Sequence, residues 1–354
     1  MANKDAQQIA KTVAGLMKQA TGRNKDIIAR RFGLTSGKKE TLESIGKSYG
    51  ITRERVRQIE EFTLGQLAKA TIGNKDVERY LGVTRAIVSR EGGVLKEREL
   101  FKAFSGSDKE SVANACLVFL LTLSRECVRA SDSDHFYAFW ALNAAHRDTF
   151  TGAVGSLVSA LEKQKSVVPH GSFLTLAQQG GVKSPDGSSV SEKTLATLMA
   201  ISKDISMNIY REVGLTTWPE VRPKGVRDKA YLVVKKAGDP RHFSEIAKLI
   251  NTASFSDNKK VNVQTVHNEL IKDSRFVLVG RGMYALSEWG YKAGTVKDVL
   301  VDVLKNASKP LTRTELVAKV MNVRMVKENT ILLNLQDSSS FARNADGTYV
   351  LRKA

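Results

Sequence analysis

The sequence is poor in the residues that build reactive centres and crosslinks. Its 354 residues include two cysteines, five histidines and three tryptophans. Cys116 and Cys127 belong to no CxxC pair and have no histidine at zinc-ligand spacing. They read as small buried hydrophobes of a reducing compartment. His135, His146, His170, His242 and His267 are scattered and form no HExxH or HxH. No phosphate-binding GxxxxGKS/T loop and no GxSxG elbow occurs. Pro185-Asp186 followed by Glu192-Lys193 lacks the residue that separates acid from lysine in a nuclease site, and reads as a loop. No catalytic residue, metal or cofactor is therefore expected. The most apolar stretch, residues 116–123, covers eight residues, against roughly 20 for a membrane helix. The opening Met1-Ala2-Asn3-Lys4-Asp5 lacks a secretory signal. The expectation is a cytoplasmic, non-enzymatic protein with no membrane partner and no small-molecule substrate.

What is plentiful is positive charge. Lys plus Arg number 55 against 37 Asp plus Glu, a net charge of +18. Such a surface calls for an anionic partner, and nucleic acid comes first. The excess is segregated. Residues 23–70 carry 11 basic and 6 acidic groups, whereas residues 71–170 carry 13 and 12 and residues 171–221 carry 4 and 5. Residues 222–292 carry 14 and 7, and residues 293–354 carry 10 and 6. Anion-binding modules at both ends, with a packing or partner-binding section between, account for that pattern.

Thr41 to Leu67 reads TLESIGKSYGITRERVRQIEEFTLGQL. Leu42, Ile45 and Tyr49 define one short amphipathic helix, which Gly50 ends. Thr52 suits the N-cap of a second helix, and Ile51 can staple onto Val56. Two helices joined by a glycine turn make a helix-turn-helix. At about 100° per residue, Arg53, Glu54, Arg57, Gln58 and Glu61 share an arc of roughly 140°. Val56, Ile59 and Thr63 face the other way, toward the first helix. Arg and Gln suit guanine and adenine edges in the major groove, Glu suits cytosine, and a recognition helix reads bases near its N-terminus.

Three strings in this region, DIIARRFGL from Asp26, TLESIG from Thr41 and ITRERVRQIE from Ile51, resemble region 4 of bacterial primary sigma factors over roughly residues 9–69. The resemblance implies a domain that reads the promoter −35 element and touches the flap of the RNA polymerase β subunit. By motif position it makes Arg53, Glu54, Arg57 and Gln58 the base-reading candidates. Arg30, Thr41, Lys47 and Arg55 become backbone or packing residues near phosphates. Gly22-Arg23-Asn24-Lys25 departs from the family's Pro-x-Arg-Glu-Arg-like stretch, which bears on the flap contact. No tryptophan-rich helix like the promoter-melting region precedes the motif, so the chain is not expected to initiate transcription alone.

Toward the other end two stretches superpose by spacing. Pro240 precedes FSEIAKLI, Thr265 opens TVHNELI, Phe276 follows and Tyr284 begins YAL; Pro310, RTELVAKV, Thr330, Phe341 and Tyr349 repeat the order. Each copy reads as helix, short helix, longer helix and two strands joined by a glycine-bearing turn, the order of a winged helix. RDKAY from Arg227, HFSEIA from His242 and RGMYAL from Arg281 resemble the HARE-type helix-turn-helix domain, known in the RNA polymerase delta subunit, over about residues 225–290. Residues 295–354 resemble a more distant winged helix. Gln264, His267, Asn268 and Lys272 are the exposed candidates of the third helix, with Arg281 on the wing and Lys259 and Lys260 near phosphates. Lys327, Asn329 and Arg343 are the equivalents in the last copy.

The middle is less regular. Pro169 precedes Thr194 by 25 residues, as Pro240 precedes Thr265, which fits a degenerate copy within about 150–218. Gly92-Gly93-Val94, the apolar segment 116–123 and the strand-like 135–140 fit another. The expected fold is mainly α: a helix-turn-helix (1–70), two degenerate winged helices (71–150 and 151–221), a HARE-type winged helix (222–292) and a C-terminal winged helix (293–354), with small β-hairpin wings. The expected function is a transcription regulator or sigma-like accessory factor that binds double-stranded DNA and works with core RNA polymerase through its β flap. Two alternatives are a delta-like polymerase-associated protein whose modules contact subunits, and a non-specific architectural DNA binder.

Overall fold

A computed structural model describes residues 2–257, 259–291 and 294–352. The fold is mainly helical, with sixteen α-helices and small antiparallel sheets among the described residues. Two compact units are formed: Met1–Ser206 with Val213–Thr216, and Met207–Glu212 with Thr217–Ala354. No described helix is long and apolar enough to cross a membrane.

The first unit opens with helices α1 (Ala2–Leu16), α2 (Gly22–Phe32), α3 (Leu42–Tyr49), α4 (Arg53–Thr71) and α5 (Lys75–Arg90). Strand β1 (Val94–Lys96), helices α6 (Glu97–Ser105) and α7 (Val112–Ser124), and strands β2 (Val128–Ala130) and β3 (Phe139–Ala141) follow. Ser111 caps α7 by accepting from the Asn114 amide. That helix is apolar on every side, and such a helix belongs inside a core. Leu117, Phe119 and Leu120 are fully buried, and α1, α2, α4, α5 and α6 all pack around α7. Phe32 meets Phe119 edge-on at 5.1 Å between ring centroids. One apolar cluster runs from Ile9 through Leu67 and Phe119 to Trp140. The N-terminal helices and the segment after them therefore share an interior.

The unit continues with α8 (Ala144–Gln164), β4 (Val168–Pro169), α9 (His170–Gln179), α10 (Glu192–Ile201), β5 (Ile205–Met207) and β6 (Glu212–Leu215). Its two sheets have the strand orders β1-β3-β2 and β4-β6-β5. In the first, Leu95 and Arg129 both lie opposite Trp140. The run Ser184 to Ser189 is a loop, held by the Ser184 amide donating to the Ser188 carbonyl. Cys116 and Cys127 are free and buried, and burial raises both thiols, Cys116 to about 12.

In the second unit, α11 (Val226–Ala237), β7 (Arg241–His242), α12 (Phe243–Thr252), α13 (Val263–Lys272), β8 (Phe276–Leu278) and β9 (Met283–Leu286) surround one core that includes Val234, Ile246, Val266 and Tyr284. The sheet order is β7-β9-β8. Then α14 (Val296–Lys305), α15 (Arg313–Val323), α16 (Glu328–Leu335), β10 (Phe341–Arg343) and β11 (Tyr349–Leu351) enclose a separate core around Leu300, Leu316 and Ile331. Leu311, ahead of α15, bridges to Tyr349 and occupies the place of a first strand.

The order helix, short strand or bridge, two helices, hairpin thus occurs four times along the chain. Two details differ from the sequence reading. A short strand precedes the second helix, and two residues are too few to show alternation. The third helix is not the longer one: α12 and α13 have 10 residues each, and α15 has 11 against 8 in α16.

Candidate nucleic-acid interface

The turn between α3 and α4 is set by local chemistry. Thr41 caps α3 by accepting from the Ser44 amide, and Thr52 caps α4 by accepting from Arg55. Gly50 takes φ 63°, the left-handed conformation glycine adopts without strain. Gly46 is required for a different reason: a Cβ there would meet the Ile51 carbonyl oxygen at 2.7 Å. Close approach lets Ile27, Ile45, Val56 and Ile59 form a small core, covered by Leu42, Tyr49 and Ile51. Thr63 is buried on the same side of α4.

Burying that side turns the other outward. Arg53, Glu54, Arg55, Arg57 and Gln58 are all exposed, so the candidates assembled from sequence do share one open face. They are not idle there. Arg57 Nη2 donates to Glu54 Oε1 at 2.8 Å, its Nε donates to both Glu54 oxygens at 3.1 Å, and Nη1 reaches Glu61 at 3.3 Å. Hydrogen bonding to Arg57 holds the Glu54 carboxyl below its ordinary range, and the same bonds raise the arginine. Arg55 donates to Gln58 Oε1 at 3.1 Å. These links use the i,i+3 and i,i+4 spacings of a helix, a signal that the sequence itself carries.

The flanking candidates divide. Thr41 and Lys47 are exposed, with Lys47 2.9 Å from Glu43. Arg30 is half-buried and taken up by neighbouring side chains. It forks onto Glu40 at 2.9 and 2.7 Å, donates to Ser48 and lies near Asp26. Its bond to Glu40 raises an already high pKa. Arg30 therefore ties α2 to α3 and positions them, rather than standing open to phosphate.

In the second unit, α13 carries Gln264, Asn268 and Lys272 on its exposed side, the first two linked at 3.1 Å. Lys272 lies 3.9 Å from Glu269. Arg281 is exposed in the turn between β8 and β9, and Lys259 and Lys260 are exposed before α13. His267, expected among the exposed candidates, is half-buried. Its ring stacks on Phe243 at 4.4 Å and meets Tyr284 edge-on at 6.0 Å, so packing claims it. In the last copy Lys327, Asn329 and Arg343 are exposed. The corresponding helix of the first copy, α7, is enclosed in the core and offers no such face.

The chain thus presents, on a capped two-helix turn with its own small core, an open polar face of arginine, glutamate and glutamine. Residues 16–69, which contain this turn, match the family described as Sigma-70, region 4, a helix-turn-helix family, and a DNA-binding, transcription-related role follows for that segment.

Proposed function

We propose that this chain is a sigma-like accessory factor or regulator of transcription that reads a promoter-like duplex site through α4. Arg53, Glu54, Arg57 and Gln58 contact base edges in the major groove, while Thr41, Lys47 and Arg55 contact the backbone. The observation that carries this reading is the division of α4: Val56, Ile59 and Thr63 are buried while the four candidate readers are exposed, within a segment that matches Sigma-70, region 4. Before reading a base, Arg57 exchanges its bonds to Glu54 and Glu61 for bonds to the nucleic acid. The exchange is cheap, because water screens exposed pairs of this kind and they add little stability.

The two C-terminal copies act as winged helices, the first of HARE type. They add phosphate contacts through Gln264, Asn268, Lys272 and Arg281, so linked modules raise affinity and salt lowers it steeply. His267 serves there as a packing residue. The two earlier copies are degenerate winged helices, the first acting as a scaffold around α7. RNA polymerase core, at its β flap, is the protein partner, and the factor works beside the initiating subunit in the cytoplasm. The test compares binding of a −35-bearing duplex and a random duplex at two salt concentrations, with capture of core polymerase alongside. Site-selective binding supports the reading. Equal affinity for both duplexes removes base recognition, and capture of polymerase without DNA selectivity favours a delta-like partner instead.

A further inference from the structure

The loop between α2 and α3, the starts of α6 and α7 and the segments beside β2 and β3 border a cavity of about 1030 Å³. A volume near 1,000 Å³ suits a small organic ligand rather than a lone ion. Five cationic side chains line it, and one is already spent: Arg129 forks onto Glu97 at 2.6 and 2.8 Å, with the Trp140 indole on the same carboxylate at 3.0 Å. Lys39, Lys96, Arg98 and Lys109 form no close ion pair with any described residue, although Lys39 lies in the field of Glu97 and Glu110. Of the lining carboxylates, Asp132 is held by Lys203 at 2.6 Å, which leaves Asp108 and Glu110 as unpaired acceptors.

Two further observations bear on what the cavity takes. Lys96 is half-buried with its ammonium 3.6 Å over the Tyr137 ring, and burial lowers its pKa, so it lacks its full water shell. Asn114, only 2 % exposed, donates to the Ser107 and Lys109 carbonyls, while its Oδ1 is buried with no donor. That oxygen is closed off from the cavity, so Asn114 fixes the wall beside Lys109 through its two donated bonds and does not meet an occupant.

From these we infer a ligand site for a nucleoside polyphosphate, its phosphates among Lys39, Lys96, Arg98 and Lys109 and its hydroxyl and amino donors toward Asp108 and Glu110. Four unpaired cations match a chain of phosphates, whereas a single carboxylate would leave most of them unmet. Because Gly37 and Lys39 belong to the α2–α3 loop, an occupant would join that loop to the scaffold around α7. This goes beyond the DNA-reading proposal and does not depend on it.

The test is calorimetric titration of the full chain, without DNA and at fixed ionic strength, with ATP, GTP and inorganic pyrophosphate. One-site binding of a nucleotide is expected, weakened at least tenfold by Arg98→Gln combined with Lys109→Gln and kept by Arg57→Ala. Should the double variant misfold by circular dichroism, Arg98→Gln alone, a change at an exposed residue, decides with a smaller loss. No saturable binding below about 1 mM overturns the inference. So does binding that survives the cavity variants or disappears with Arg57→Ala, which would assign it to the basic helix face. Pyrophosphate binding as tight as that of the nucleotides would overturn the nucleoside part.

Discussion

Arg57 grips Glu54 one turn back along α4, with three contacts between 2.8 and 3.1 Å, and touches Glu61 one turn ahead. In the proposed reading both acids compete with DNA for the same guanidinium, yet they differ. Glu54 lies at the N-terminal end, where it can itself meet a base, whereas Glu61 lies two turns further on. Arg57→Ala should cost about 1–3 kcal/mol on the preferred duplex and relax sequence preference. Glu61→Gln should raise affinity for preferred and random duplexes alike, since it removes a negative charge from the exposed face of α4. Fluorescence anisotropy on both duplexes checks the pair of variants; equal losses for Arg57→Ala on the two duplexes would count against base reading.

Gly46 sits where α3 passes the start of α4. Since a Cβ there would lie 2.7 Å from the Ile51 carbonyl oxygen, a backbone atom, Gly46→Ala must push the two helices apart. Overpacking of this kind costs about 1–3 kcal/mol. Gly50→Ala, strained at φ 63° but with nothing near its Cβ, should cost about 1 kcal/mol. Urea melts of the two variants give the order, and DNA binding should fall further for Gly46→Ala, because it displaces the face of α4 proposed to read bases.

How much of this was legible beforehand follows from where the information lies. The caps at Thr41 and Thr52, the turn at Gly50 and the inward set Val56, Ile59 and Thr63 follow from spacing within a few residues, and the fold uses all of them. The apolar character of α7 was equally plain, but not its place as the hub for α1, α2, α4, α5 and α6, because pairing between distant segments leaves no local trace. Short strands such as Arg241–His242 were invisible for want of length. His267 departs from the exposed place expected of it because helical spacing does not reveal Phe243 and Tyr284 on either side. The cavity lysines and Asn114 gave no motif at all, since they come from three separate segments.

A shared interior has a consequence for stability. Phe119 is fully buried in the cluster that also holds Phe32 and Leu67. Phe119→Ala should cost about 3–5 kcal/mol. The loss should reach α2 and α4 as well as α7, so hydrogen exchange should accelerate across residues 9–140 together. Exchange that quickens only within 112–124 would show that the N-terminal helices stand on their own.

Acid should act through Glu97. Burial pushes its carboxyl up, but Arg129, Lys39 and the Trp140 indole pull harder, and the net result lies below the ordinary glutamate value. A depressed folded-state pKa gives stability that is present above the unfolded value of about 4.3 and fades as pH falls toward the folded value. Glu97→Gln should therefore lower the melting temperature at pH 7, by the equivalent of about 1–3 kcal/mol after allowing for the partly exposed arginine. The gap between the two proteins should narrow as pH drops below 4, and melting curves from pH 3 to 7 measure it.

Packing and contact should separate cleanly on α13. His267 is wedged between Phe243 and Tyr284, while Asn268, its neighbour in sequence, is exposed and accepts from Gln264. His267→Ala removes an aromatic partner, worth about 0.5–1.5 kcal/mol beyond its area, and should lower stability. Asn268→Ala should leave the melt unchanged and weaken duplex binding instead. Arg281→Ala, in the turn after β8, should do the same and also flatten the salt dependence by about one unit of slope, as loss of one phosphate contact requires. Because the affected property differs for each residue, melting and binding measured on the same preparations distinguish a DNA-contacting module from a rigid spacer: a spacer would register only His267→Ala.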